Sequence, residues 1–273
     1  MDIPELILTM VCYLAATVSF VGYLLTSREP LHRAGSWLLG IGFAVHVLAI
    51  AVRSYEGGNL AIKTMHETLS VLSCAIVGAY LVLQMRFPLA VVGAFVAPLA
   101  FLVTLSAFLF YSGVQELPKT LNTLWLPAHL APALLGYAIL AVAFCVSIAY
   151  LVQERQLKAK RRHGLHLRLP PLETLDHLNY RFMVWGFSLF TLAIVTGALL
   201  AKTAWGEFWS WEPVQVWSVI TWLLYALLLH SRTAGWRGRL AARLTIVGFA
   251  VLLLSFFSIS FVFPGKHGGH FGG

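Results

Sequence analysis

The run Leu130-Ala-Pro-Ala-Leu-Leu-Gly-Tyr-Ala-Ile-Leu-Ala-Val-Ala-Phe-Cys-Val-Ser-Ile-Ala-Tyr-Leu-Val152 contains no charged residue. A helix needs roughly 20 apolar residues to cross the hydrocarbon core of a bilayer. This run is long enough, and it is not alone. Working outward, similar stretches lie at about 5–25, 36–52, 68–85 and 88–111 before it, and at 182–201, 216–231 and 244–263 after it. In lipid every backbone N–H and C=O must find a partner within the segment, so the spans are expected to be helices. The second and seventh are short and lean on their flanks. The reading is an all-α integral membrane protein of about eight transmembrane helices. It forms a single membrane domain, 1–273.

Composition agrees. Hydrophobic residues make up 59% of the chain and charged residues 11%. That balance excludes a soluble domain. The net charge of +8 is read as basic loops facing an anionic leaflet, not as a nucleic-acid footprint. Cys12, Cys74 and Cys145 all fall inside apolar spans without a CxxC pair or zinc spacing, so they are expected to pack in the core. No CxxCH motif is present, which excludes covalent haem carried by the chain itself. The first apolar run lacks a basic leader and a suitable small-residue cleavage site, and reads as a retained span.

Loop charge sets the expected orientation. Of the nineteen Lys and Arg, only Arg53, Lys63, Lys119, Lys202 and Lys266 fall on one side, and the other fourteen fall on the opposite side. The richer side is placed in the cytoplasm. Both termini then face the extracytoplasmic side. The longest inner loop, about 153–181, is basic and holds Pro170-Pro171. It reads as a solvated topology signal. Pro98 is expected to kink the fourth span.

On the outer side lies Trp205-Gly-Glu-Phe-Trp209-Ser-Trp211-Glu212-Pro-Val-Gln-Val-Trp217, with four of the nine tryptophans in thirteen residues. An aromatic belt is the bland reading. The density, with Gly, Phe and two carboxylates interleaved, equally suggests a platform for a large flat ligand. His129, just after Trp125 and Pro127, opens the fifth span on this face. His267, in Phe263-Pro-Gly-Lys-His267-Gly-Gly-His270, follows the eighth. Each alone reads as an interface residue. Two neutral imidazoles beside an aromatic cradle are also how haem iron is held from both faces. His230 ends the seventh span, thirteen residues beyond Trp217 and so roughly 20 Å away near the cytoplasmic boundary. It reads as an interfacial anchor or as a second ligand position. His46 lies within the second span, where a histidine satisfied by a neighbouring helix is as good a reading as a functional one. His32, His163, His166 and His177 read as solvated inner-loop residues.

Trp205-Gly-Glu-Phe-Trp-Ser-Trp-Glu-Pro, Val216-Trp217-Ser-Val-Ile-Thr221-Trp222 and Leu229-His230-Ser-Arg232 together resemble the WWD domain of haem-handling membrane proteins. The WWD-like segment covers about 197–232, including Gly197-Ala-Leu-Leu-Ala-Lys202. Within that superfamily the chain resembles the CcsA/ResC type of cytochrome c assembly protein (system II). Thr64-Met-His66-Glu67-Thr68-Leu resembles the family's N-L-Y-E-S-L element, and Pro264-Gly-Lys-His267-Gly its terminal GLHSYG.

The resemblance implies haem delivery across the plasma (inner) membrane. Haem b, held non-covalently, would be presented at the outer face for attachment to the CxxCH motif of an apocytochrome c, as part of a cytochrome c synthase complex. The nucleophiles would be the client's cysteines. His129 and His267 match the two external iron-ligating histidines and His230 the transmembrane one, with Trp125, Trp205, Trp209, Trp211, Glu212 and Trp217 beside the cofactor. A separate ResB/CcsB-type membrane partner, carrying the second membrane histidine, is implied, with thiol-reducing proteins as possible further partners. The pattern departs from the family at Glu212, Val214, Gln215 and after His267, where His270 is a rival ligand. His46 and His66 are undecided as haem contacts. Two other readings stand: a HemX-like regulator of haem biosynthesis and a b-type membrane cytochrome.

Overall fold

The computed structural model describes residues 3–56, 62, 64–87, 89–111, 123–159 and 169–262. Eight helices follow one another: α1 (Ile3–Thr26), α2 (Glu29–Glu56), α3 (Met65–Gln84), α4 (Gly93–Leu109), α5 (Trp125–Lys158), α6 (Leu172–Trp205), α7 (Pro213–Thr233) and α8 (Arg239–Val262). Among the described residues there is no strand. Seven helices are long and apolar enough to span a bilayer, and α4 is a shorter apolar helix of 17 residues.

The expected boundaries shift in four places. The second and seventh spans are not short, because α2 runs 28 residues and α7 runs 21. Their polar ends stay helical where water or an ion pair can satisfy them. The fourth span begins late, since a 3-10 turn at Ala90–Val92 precedes α4. Much of the expected inner loop is helical: α5 continues to Lys158 and α6 starts at Leu172. His32 and His177 consequently lie on helices, His32 packing on Phe20 and Tyr23. Pro98 is inside α4 as expected, and α5 also contains Pro132.

Consecutive helices pack as antiparallel pairs, and α5 is the hub, touching α3, α4, α6 and α8. Its buried face is rich in small residues (Ala138, Ala141, Ala143, Cys145 and Ala149 are all 0% exposed), which lets neighbouring backbones come close. The α5–α6 approach is close. A β-carbon on Gly136 would stand 3.2 Å from the Gly186 carbonyl, and one on Gly186 would stand 2.6 Å from Leu140 Cγ. All three cysteines are buried and unpaired, as expected.

Polar ties complete the bundle. Asn179 on α6 donates to Ser147 Oγ on α5 at 2.6 Å and to Thr245 Oγ1 on α8 at 3.2 Å. His46 on α2 is fully buried, hydrogen-bonded through Nδ1 to Tyr13 Oη at 3.2 Å and through Nε2 to Ser70 Oγ at 2.8 Å. Arg53 and Glu67 form a buried ion pair between α2 and α3 at 2.9 Å. Thr64 caps α3 by accepting from the Glu67 amide at 3.2 Å. This is the Ser/Thr-x-x-Glu capping pattern with its glutamate carboxylate engaged by Arg53. At the other end, Arg232 donates to both carboxylate oxygens of Asp176, at 2.7 and 3.0 Å, and to its carbonyl at 3.1 Å. The Gly238 amide donates to the same carboxylate at 2.9 Å.

Candidate functional site

The tryptophan stretch forms the end of α6, a short connection and the start of α7. Gly206 at φ +83° ends α6 in the left-handed cap that glycine accepts without strain. Its amide donates to the Lys202 carbonyl at 3.0 Å. The Lys202 ammonium donates to the Gly206 carbonyl at 2.7 Å and lies 5.4 Å above the Phe208 ring. Pro213 opens α7 at its first position, where the missing amide proton is not needed. Glu212 precedes it and is buried. Gln215 closes the connection: its Oε1 accepts from the Ser210 amide at 2.8 Å and from Ser210 Oγ at 3.3 Å.

This connection turns aromatic surface outward. Phe208 is 54% exposed and Trp211 78%. Trp209 meets Trp211 edge to face, with centroids 5.6 Å apart at 86°. Trp211 sits at φ +55°, a conformation that bulky L-residues adopt only when the surroundings impose it. Trp205 and Trp217 are half-buried where the connection joins its helices.

His129 lies one turn inside α5, four residues after the part-exposed Trp125 and on the same side of the helix. Its Nδ1–H donates to the carbonyl of Ala193 on α6 at 2.8 Å. A carbonyl can only accept, so Nδ1 carries the proton of this bond. Metal-binding histidines are oriented by this kind of bond. Gly197, one turn further along α6, makes room: a β-carbon there would stand 2.9 Å from both Cε1 and Nδ1 of His129. From Gly197 to Trp205 along α6 is about 12 Å. His129 and the aromatic connection therefore share one end of the bundle.

His230 sits at the other end, about 20 Å along α7 from Trp217. It is exposed, on a stripe continuing Ile220, Leu223 and Leu227. Two residues on, Arg232 makes the Asp176 clamp. Midway, Trp222 ties α7 to α6 by stacking on Phe187 and donating to Thr191 Oγ1 at 2.9 Å.

His267 and His270 lie outside the described residues. His66 is 2% exposed, donates Nδ1–H to the Ala107 carbonyl at 2.7 Å and packs against Tyr111. It and His46 tie helices together. Among the described residues no group of three or more His, Cys, Asp or Glu could chelate a metal ion. An iron that brings four porphyrin nitrogens needs no such group. The sequence picked out His129 but not its seat on Ala193 and Gly197. Nor did it give Gln215 its bracing role.

The chain is thus a helical membrane bundle with a histidine and an exposed aromatic connection at one end and an exposed histidine at the other. The family is also shown directly. Residues 59–267 match the model of the cytochrome C assembly protein family, and the chain belongs to it. Cytochrome c biogenesis protein CcsA of Guillardia theta is 31% identical over 254 residues, covering 83% of this chain and 84% of that protein. CcsA of Synechococcus elongatus is 29% identical, covering 95% and 92%. Among solved structures, the cytochrome c heme lyase CcmF superposes with a TM-score of 0.64 at 15% identity. That match takes in 97% of this chain and 52% of CcmF, so the chain spans about half the length of that protein and shares its fold over that half.

Proposed function

We propose that this protein holds haem b non-covalently at the extracytoplasmic end of the bundle and presents it for covalent attachment to the CxxCH cysteines of an apocytochrome c. The observation that carries the reading is the His129 bond to Ala193, which fixes an imidazole with its proton on Nδ1 at the end bearing the exposed tryptophans. Membership of the cytochrome c assembly family and the naming of CcsA relatives support it. The residues fit the cofactor. His129, with His267 as its companion, would hold the iron. Trp125, Trp205, Trp209, Trp211 and Trp217 would cover porphyrin faces and edges, with Glu212 at the base of the connection.

When bound, haem supplies the vinyl groups that the client thiols add to, and the chain's residues orient and enclose it. Trp209 and Trp211 shed water from the ring. His129 keeps its proton on Nδ1 and its lone pair on Nε2. Gln215 and Lys202 brace the backbone of the connection. His230 would hold haem nearer the cytoplasmic end, on the route by which it arrives. Because His230 stands on an exposed apolar stripe of α7, its companion ligand would come from a ResB/CcsB-type partner across that stripe. The site would sit on the outer face of the plasma membrane, with both termini on that side.

His46 argues against a b-type electron carrier, since both of its nitrogens are hydrogen-bonded within the bundle. The test is a strain lacking this protein, complemented with the wild type or with His129→Ala. Covalently haem-stained c-type cytochromes return with the wild type and fall at least tenfold with the variant. Normal c-type cytochromes in the uncomplemented strain, with altered haem precursors, would overturn the reading in favour of a HemX-like regulator.

A further inference from the structure

We propose that Gly197 is a positioning residue whose bare α-carbon fixes the ring attitude and tautomer of His129. The consequence for haem rests on the ligand role given to His129 above. The geometry itself does not.

Three observations carry it. First, Ala193 O is the backbone acceptor that the Gly197 amide reaches in an α-helix. A side chain from α5 can share that carbonyl only if residue 197 leaves the groove open, and His129 Nδ1 does share it, at 2.8 Å. Second, a β-carbon at 197 would lie 2.9 Å from two ring atoms of His129. Moving the ring out to ordinary contact, 3.4 Å or more, is a shift of about half an ångström. The hydrogen bond then stretches to the edge of the useful range. Third, separating the helices to absorb that shift would open their close-packed glycine contact. Gly136 lies two turns along α5 from His129, and Gly186 three turns along α6 from Gly197, so both lie on the faces in contact. At that point backbone meets backbone, with the Gly186 carbonyl 3.2 Å from a β-carbon built on Gly136. Turning the ring away keeps that contact, and the ring then loses the acceptor that keeps the proton on Nδ1. With that acceptor gone, the proton is free to move to Nε2, which blocks the ligating lone pair.

The test uses the full chain in detergent. Histidine-selective 15N NMR reads the tautomer without haem, and the signal lost in His129→Ala assigns the residue. We expect wild-type His129 to be the Nδ1–H form and Gly197→Ala to shift it toward Nε2–H. Haem titration is the second readout. Losing an outer-shell partner of a metal-binding histidine typically weakens affinity ten- to a hundredfold. Gly197→Ala is expected to lose that much, while on the His129→Ala background, assayed with free imidazole, the same substitution changes affinity less than twofold. If Gly197→Ala alone folds poorly, the double variant is expected to recover, because the clashing ring is gone.

An unchanged tautomer in Gly197→Ala overturns the proposal, and so does an equal loss on both backgrounds. A changed tautomer with haem binding indifferent to His129 upholds the positioning role and sinks the ligand assignment instead.

Discussion

Asp176 is the residue on which the N-terminal end of α6, the C-terminal end of α7 and the α7–α8 turn converge. Its carboxylate accepts from two Arg232 nitrogens and from the Gly238 amide. The Arg232 side chain is 7% exposed and that of Asp176 19%. Asp176→Ala leaves a nearly buried guanidinium without its counter-charge. Breaking such a pair from one side destabilises by about 3–5 kcal/mol. The partial exposure of Asp176 puts this case at the low end, about 3 kcal/mol, because solvent screens what remains. The orphaned Gly238 amide adds about 1 kcal/mol. Asp176→Asn keeps an acceptor and a similar shape, and is expected to lose about half as much. The assay is reversible unfolding in mixed micelles followed by helicity, wild type beside both variants. A loss below about 1 kcal/mol for Asp176→Ala, or equal losses for the two variants, would refute the reasoning. The clamp also bears on function, since Arg232 is two residues from His230 and anchors the height at which that histidine stands.

The other predictions are smaller. Gln215→Ala removes the acceptor for the Ser210 amide, so that amide is expected to exchange its hydrogen about tenfold faster, the equivalent of about 1.4 kcal/mol, whereas Gln215→Glu holds near wild type. His46→Leu removes the partner of Tyr13 Oη and one hydrogen bond of Ser70 Oγ, and is expected to destabilise the bundle by about 2 kcal/mol while leaving any haem spectrum untouched. A lost Soret band would show that His46 is more than a helix tie. Arg53→Met and Glu67→Met, each breaking the α2–α3 ion pair from one side, are expected to lose about 3 kcal/mol apiece, and the double variant less than their sum in the same unfolding assay.

What the sequence revealed and what it hid have physical reasons. The spans were legible because lipid demands long apolar runs. Their ends were less so. α2 was read as starting near 36 because Glu29, His32 and Arg33 lower the local hydropathy, yet helical backbone is as well satisfied at the water interface as in lipid. Arg53 was counted only as a loop charge, although its partner Glu67 lies fourteen positions away on the next helix. The tryptophan connection and His129 stood out because aromatic density and imidazole chemistry are visible in residue names. The seat of His129 did not, because Ala193 contributes a backbone carbonyl and Gly197 reads only as the first residue of a family-like stretch in an apolar helix. Gln215 was read only as a departure from the family pattern, and its amide oxygen turns out to brace the connection. His267 lies outside the described residues, so its pairing with His129 rests on the proposed function.

The most direct test of the central claim is an optical spectrum of the purified protein in detergent, with His129→Ala, His267→Ala and His230→Ala beside the wild type. The account predicts non-covalent, six-coordinate low-spin haem in the wild type. It predicts loss of outer haem in both His129→Ala and His267→Ala, restored by free imidazole. Haem that is indifferent to both substitutions, or a wild type that takes up none, would contradict it.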